Sequence, residues 1–212
     1  MRDCLFLVAD KNMEGMLKGF FSRGAFHRAM GCGHFDFDLR QDLLVAHGQN
    51  DPGLYTRANE FLQLHARTHR HAVVIVDAEW SGSPGRDAIQ QRLNQHLLNA
   101  GWSDGSGCAV VIDPELENWV WQDSQHVCSA LGFEGAFDAL RTTLEDQGFW
   151  QPDEAKPDRP KEAVEWTLRQ SKKGRSSAIY QQLATRVTAR RCTDQAFFTL
   201  QNALFRWFPP TD

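Results

Sequence analysis

From residue 4 to residue 112, short apolar runs alternate with segments whose apolar positions return every three or four residues. "CLFLVA" (4–9), "AVVIV" (72–76) and "CAVVI" (108–112) are continuous apolar runs, the pattern of strands covered on both faces. "HFDFDL" (34–39) alternates with period two and predicts a half-exposed edge strand. Met13, Met16, Leu17, Phe20 and Phe21 recur at helical spacing and predict a helix over 10–22. Further helices are predicted over 54–68, with Asp51-Pro52-Gly53 as the turn before it, and over 86–100, with Ile89, Leu93, Leu97 and Leu98 inward. Asp113-Pro114 reads as the start of a helix, Asp as N-cap and Pro at the first position, and 132–150 as another ending near Gly148. Strands separated by helices predict an α/β fold: a mainly parallel four-stranded sheet flanked by helices.

"QPDEAKPDRP" (151–160) is the one Pro-rich, charged, linker-like stretch. It divides an α/β domain over 1–150 from a helical extension over 151–212, with helices predicted at 161–171, 177–190 and 194–208. Charge changes sign at about the same place. Residues 1–154 carry 12 Lys and Arg against 22 Asp and Glu, whereas 155–212 carry 11 against 5. An acidic body with a basic extension implies either two tasks or mutual attraction between the parts. Cys4, Cys32, Cys108, Cys128 and Cys192 are odd in number and scattered, which reads as reduced core thiols rather than disulfides or zinc ligands. No stretch approaches a membrane span, and the N-terminal apolar run is too short for a signal peptide, so the expected location is the cytoplasm and no membrane partner is expected.

Three of the apolar runs stop at acids: Asp10 with Glu14 a turn later, Asp77 and Glu79, and Asp113 followed by Glu115 and Glu117. In a parallel sheet these ends share one edge, where α/β proteins gather functional groups. Crowded carboxylates repel and raise each other's pKa unless a cation neutralises them. Hard oxygen ligands suit Mg²⁺ or Mn²⁺, and a pair of such ions suits phosphodiester displacement. Asp10 and Asp113 also serve as N-caps, and Glu115 and Glu117 also suit the first turn of a helix. Asp77 and Glu79 have no such capping use.

The ordered set "LVADKNMEGML", "VIVDAEW" and "ELENWVW", followed by "KPDRPKEA", "SSAIYQQLA" and "CTDQAFFTLQNALFRWF", resembles Toprim-like proteins related to OLD-type nucleases. The resemblance spans most of the chain. It implies a Mg²⁺-dependent nuclease, or a nucleic-acid-processing component, of a bacterial antiphage defence system, one associated with methylation among the options. The implied metal ligands are Asp77, Glu79, Glu115 and Glu117. The family shows V-E-G after its first strand where this chain has Val8-Ala9-Asp10. Asp10 or Glu14 would therefore carry the general acid/base role. A degenerate, non-cleaving subunit that docks on other proteins of the same system is the alternative.

The implied substrate is nucleic acid, DNA in preference to RNA. Its predicted grip is the basic stretch "RQSKKGRSS", with Lys172, Lys173 and Arg175, together with Arg190 and Arg191 on the following helix. Of the remaining signals, "HARTHRH" brings His65, His69 and His71 close but reads as a solvated helix end. "SGSPG" and "DGSG" read as turns, and the tryptophans as core residues.

Overall fold

The computed structural model describes residues 1–187 and 192–210. Four strands, β1 (Arg2–Val8), β2 (Leu43–Val45), β3 (His69–Asp77) and β4 (Gly107–Ile112), form one sheet in the order β2-β1-β3-β4. Every neighbouring pair is parallel, with Phe6 beside Leu43, Val8 beside Ile75 and Asp77 beside Ile112. The uninterrupted apolar runs have a direct cause. Residues 4–8 of β1, 72–76 of β3 and 109–112 of β4 are buried to within about 2% of complete, because helices cover both faces.

The helices are α1 (Lys11–Phe21), α2 (Phe26–Met30), α3 (Asn50–Leu62), α4 (Arg86–Ala100), α5 (Gln125–Leu131), α6 (Phe137–Asp146), α7 (Pro160–Gln170), α8 (Ser177–Arg186) and α9 (Gln195–Trp207). The end of the helix predicted over 177–190 falls outside the described residues. The edge strand β4 is shielded by α4, whose Gln90 and Asn94 side chains bond the carbonyl and the N–H of Ala109. At the start of β3, Trp207 of α9 stacks on His71, ring centroids 4.4 Å apart.

The extension is built onto the sheet domain through α1. Gly15 and Gly19, one turn apart on α1, let the backbone of α8 come close: an added Cβ would strike the Ser177 carbonyl at the first position and the Gln181 carbonyl at the second. Trp119 and Trp121 reach the other way, donating Nε1–H to Asp194 Oδ1 at 2.9 Å and to the Pro160 carbonyl at 3.0 Å. These tryptophans are core residues, and all five cysteines are buried and unpaired.

Four expectations are corrected. Residues 34–39 keep their alternation, with Phe35 buried and Asp36 exposed, but form no strand. The N–H groups of Asp36 and Asp38 bond the carboxylates of Asp3 and Asp42 instead of a neighbouring strand, and the edge strand is the later, three-residue β2. The segment after Asp113-Pro114 makes only a 3₁₀ turn, Leu116–Trp119. The helix expected over 132–150 is the shorter α6, preceded by α5, which is too brief to show a period. Finally, α3 begins at Asn50, so Asp51-Pro52-Gly53 lies in its first turn, where a proline missing its N–H is tolerated.

Candidate functional site

Because all four strands run the same way, their carboxyl ends open on one side, and a pocket of about 200 Å³ forms there. Acids reach it from each strand exit: Asp10 after β1, Asp51 after β2, Asp77 and Glu79 at the end of β3, and Glu117 after β4. The turn carrying Asp77 and Glu79 is pinned to the exit of β4. The Pro114 carbonyl accepts the N–H groups of Ala78 and Glu79 at 3.1 and 3.0 Å.

Asp77 is the electrostatic centre of the pocket. Its Oδ1 is shielded from solvent and has no hydrogen-bond partner among the described residues. Desolvation first, and then the neighbouring charges of Asp51, Glu117, Asp10 and Glu115, push its pKa well above the usual carboxylate range. Asp51 is tied to it: the backbone N–H of Asp77 donates to Asp51 Oδ1 at 2.8 Å. Desolvation, reinforced by Asp10, raises Asp51 to about 6. Glu79 is exposed at the rim.

Asp10 and Glu14 part company. Asp10 caps α1, and its Oδ1 accepts the N–H groups of Asn12 and Met13, both at 2.8 Å. It nevertheless lines the pocket, so capping and pocket lining coexist in one side chain. Glu14 is not among the pocket-lining groups; it pairs with Lys18 at 2.6 Å along α1.

Glu115 and Glu117 are met by cations from the extension. The Lys161 ammonium lies 3.2 Å from Glu115, which is buried, and Lys161 rather than Glu115 faces the pocket. Burial and Glu117 raise Glu115, with Lys161 opposing them. Glu117, 1% exposed, is held by Arg175 and by the Tyr180 hydroxyl, and Arg175 Nε donates to Tyr180 at 2.9 Å. Burial and the charge of Glu117 keep the Tyr180 phenol protonated far above its ordinary range.

The expected phosphate grip is therefore redistributed. Arg175 serves the pocket through Glu117 and also contacts Glu165 at 3.3 Å. Lys173 Nζ donates to the Ser129 and Ala130 carbonyls at the end of α5. Lys172 is exposed, and Arg190 and Arg191 lie outside the described residues. The histidine cluster is not a solvated helix end. His69 is buried at the start of β3, its Nε2 3.1 Å from Asp42 Oδ1 and its Nδ1 2.9 Å from the Thr68 hydroxyl.

Would these residues accept Mg²⁺ or Mn²⁺? The donors are hard oxygens, and Asp77, which lines the pocket, has a shielded carboxylate oxygen without a hydrogen-bond partner among the described residues, which fits a divalent cation. Among the described residues no three His, Cys, Asp or Glu side chains converge as a ready-made cage. That still fits Mg²⁺, which keeps several of its waters and is commonly bound through one or two carboxylates.

Sequence reasoning found Asp10, Asp77, Glu79 and Glu117, which the fold brings together. It missed Asp51, Lys161 and Tyr180. Asp51 carries no strand-end signal, because the alternation puts the second strand at 34–39 rather than at Leu43–Val45. Fold and pocket together define a parallel-sheet α/β protein with an acidic pocket at the carboxyl edge, braced by cations from its C-terminal helices. No protein-family model matches the chain, and neither a curated protein nor a solved structure is significantly similar to it. Among the described residues no helix is long and apolar enough to cross a membrane.

Proposed function

We propose that the protein is a Mg²⁺- or Mn²⁺-dependent, Toprim-like phosphodiesterase acting on nucleic acid, DNA in preference to RNA, in the cytoplasm as part of antiphage defence. The observation that carries the catalytic part is Asp77 itself, which has a shielded, unpartnered Oδ1 and lines a pocket with Asp10, Asp51, Glu79 and Glu117. The defence role rests on the sequence resemblance alone. Asp77 and Glu79 would hold the metal, with Glu117 beside them. The metal, when bound, supplies positive charge to a phosphoryl oxygen and acidifies a bound water. Lys161 and Arg175 offer N–H donors at the same opening, suited to the non-bridging oxygens of a phosphodiester. Asp10, fixed by its two backbone bonds, is the acid placed to orient a water or take its proton, a role that Glu14 is not positioned to fill.

The test is cleavage of single- and double-stranded DNA and RNA with Mg²⁺ and with Mn²⁺. Wild-type protein should cleave at least one substrate, and Asp77→Asn should drop to the uncatalysed background with its fold intact. A second reading, the non-cleaving interaction subunit, is favoured by one observation: Glu115 and Glu117 already have internal cationic partners. Absence of cleavage and of metal binding by the wild type would move the assignment there.

A further inference from the structure

Asp51 has a structural use as an acid in the first turn of α3, and its carboxylate also reaches the end of β3. It stands in the first turn of α3, placed by a chain reversal in which Gly48 takes φ +74° and Asn50 takes φ +54°. A non-glycine residue in the left-handed region is uncommon, and asparagine is among the side chains that tolerate it. The reversal turns the Asp51 carboxylate back over the end of β3, where it accepts the Asp77 N–H. An asparagine oxygen would accept that bond equally well. A carboxylate instead adds a second negative charge beside Asp77, whose Oδ1 is already unpartnered.

No compensating ion pair offsets that charge among the described residues. Of the two cations lining the pocket, Lys161 is paired with Glu115 and Arg175 with Glu117; neither Asp51 nor Asp77 has a salt-bridge partner. Glu117 in the pocket and Glu115 behind it are thus braced, whereas the lining acids Asp10, Asp51, Asp77 and Glu79 have no ion pair among the described residues. Crowded carboxylates with no ion pair of their own, and only the charge of Lys161 opposing that of Asp51, are the arrangement that a cation resolves.

We propose that Asp51 is a protein ligand of the divalent cation, which it binds jointly with Asp77. Asp51 would then complete the site from the β2–α3 connection, an element to which the sequence resemblance assigns no ligand. Mg²⁺ is commonly held by one or two carboxylates together with retained waters and substrate phosphate oxygens. The neutral side chains of Asn12 and Asn50, which also line the pocket, add oxygens able to accept hydrogen bonds from those waters. This inference rests on the metal-dependent reading above and deepens it.

The experiment is direct binding of Mn²⁺ by the full chain, read by electron paramagnetic resonance of the free ion and by calorimetry. The proteins compared are wild type, Asp51→Asn, Asp51→Glu and Glu14→Gln. Asp51→Asn keeps an acceptor for the Asp77 N–H and removes the charge, whereas Asp51→Glu keeps the charge and moves the oxygens, so an Asp51 that acts only through space leaves Mn²⁺ affinity in Asp51→Glu at the wild-type value. The proposal expects at least a tenfold loss in Asp51→Asn, a smaller loss in Asp51→Glu, and none in Glu14→Gln. Circular dichroism should show all four folded. Wild-type affinity in Asp51→Asn or in Asp51→Glu would overturn the role of Asp51 as a ligand while leaving the metal site standing. Absence of Mn²⁺ binding by the wild type at millimolar concentration would overturn the metal site and this inference together.

Discussion

Glu117 and Arg175, 58 positions apart, form an ion pair at the mouth of the acidic pocket, with the Tyr180 hydroxyl donating to the same carboxylate oxygen. Removing one partner of a buried pair leaves the other charge uncompensated, which commonly costs about 3–5 kcal/mol. Arg175 keeps 30% of its side chain exposed, so the lower end applies. Arg175→Ala should therefore destabilise the protein by about 3 kcal/mol, read as a lower urea midpoint with an unchanged slope. A loss below about 1 kcal/mol would mark the pair as an ordinary surface contact.

Asp51 gives a pH dependence with a defined sign. Its folded-state pKa is raised from 3.8 to about 6, so the folded protein holds a proton that the unfolded chain releases earlier. The stability this contributes is complete below about pH 4 and is lost as the pH rises through about 6. Asp51→Asn does not titrate. Without metal, its Tm should match the wild type near pH 4 and exceed it at pH 7–8, by the equivalent of at most about 3 kcal/mol. Relief of the repulsion on Asp77 acts in the same direction. A Tm difference independent of pH would show that Asp51 carries no excess charge in the folded state.

The α1–α8 contact makes a third expectation. Alanine is favoured over glycine inside a helix by about 1 kcal/mol, so Gly19→Ala would stabilise an isolated α1. In the folded chain the new methyl meets the backbone of Gln181 and lies 3.0 Å from Ala184 Cβ. Overpacking of this kind costs about 1–3 kcal/mol, and Gly19→Ala should unfold at lower denaturant than wild type. Gly24→Ala, with nothing within 4 Å of the added carbon, is the control and should shift stability by no more than about 0.5 kcal/mol.

The sheet was legible because burial on both faces writes itself into sequence as continuous apolar runs, and "CLFLVA", "AVVIV" and "CAVVI" became β1, β3 and β4. The acids at their ends were legible for the same reason: once strands are parallel, the carboxyl edge follows. Asp51 was hidden by its neighbours. Asp-Pro-Gly is turn chemistry, and only the three-dimensional reversal at Gly48 and Asn50 turns that stretch into the first turn of α3 above the pocket. "HFDFDL" misled because alternation reports which side chains are buried, not what the backbone N–H groups bond; here two of them bond aspartates. The double use of Arg175 was illegible because its partner Glu117 is distant along the chain. A run of basic residues looks the same whether it faces solvent or an internal acid.

The distance between acids and counter-charges along the chain also sets an order in time. A chain grows from its N-terminus at about 5–20 residues per second, so the 58 positions between Glu117 and Arg175 take about 3–12 s to synthesise. During that interval the strands and every acid of the pocket already exist, while α8, which packs on Gly15 and Gly19, does not. The nascent acidic edge therefore passes through a stage in which Arg175 and Tyr180 are not yet there to hold Glu117. The lining of the pocket is complete once Arg175 has been added.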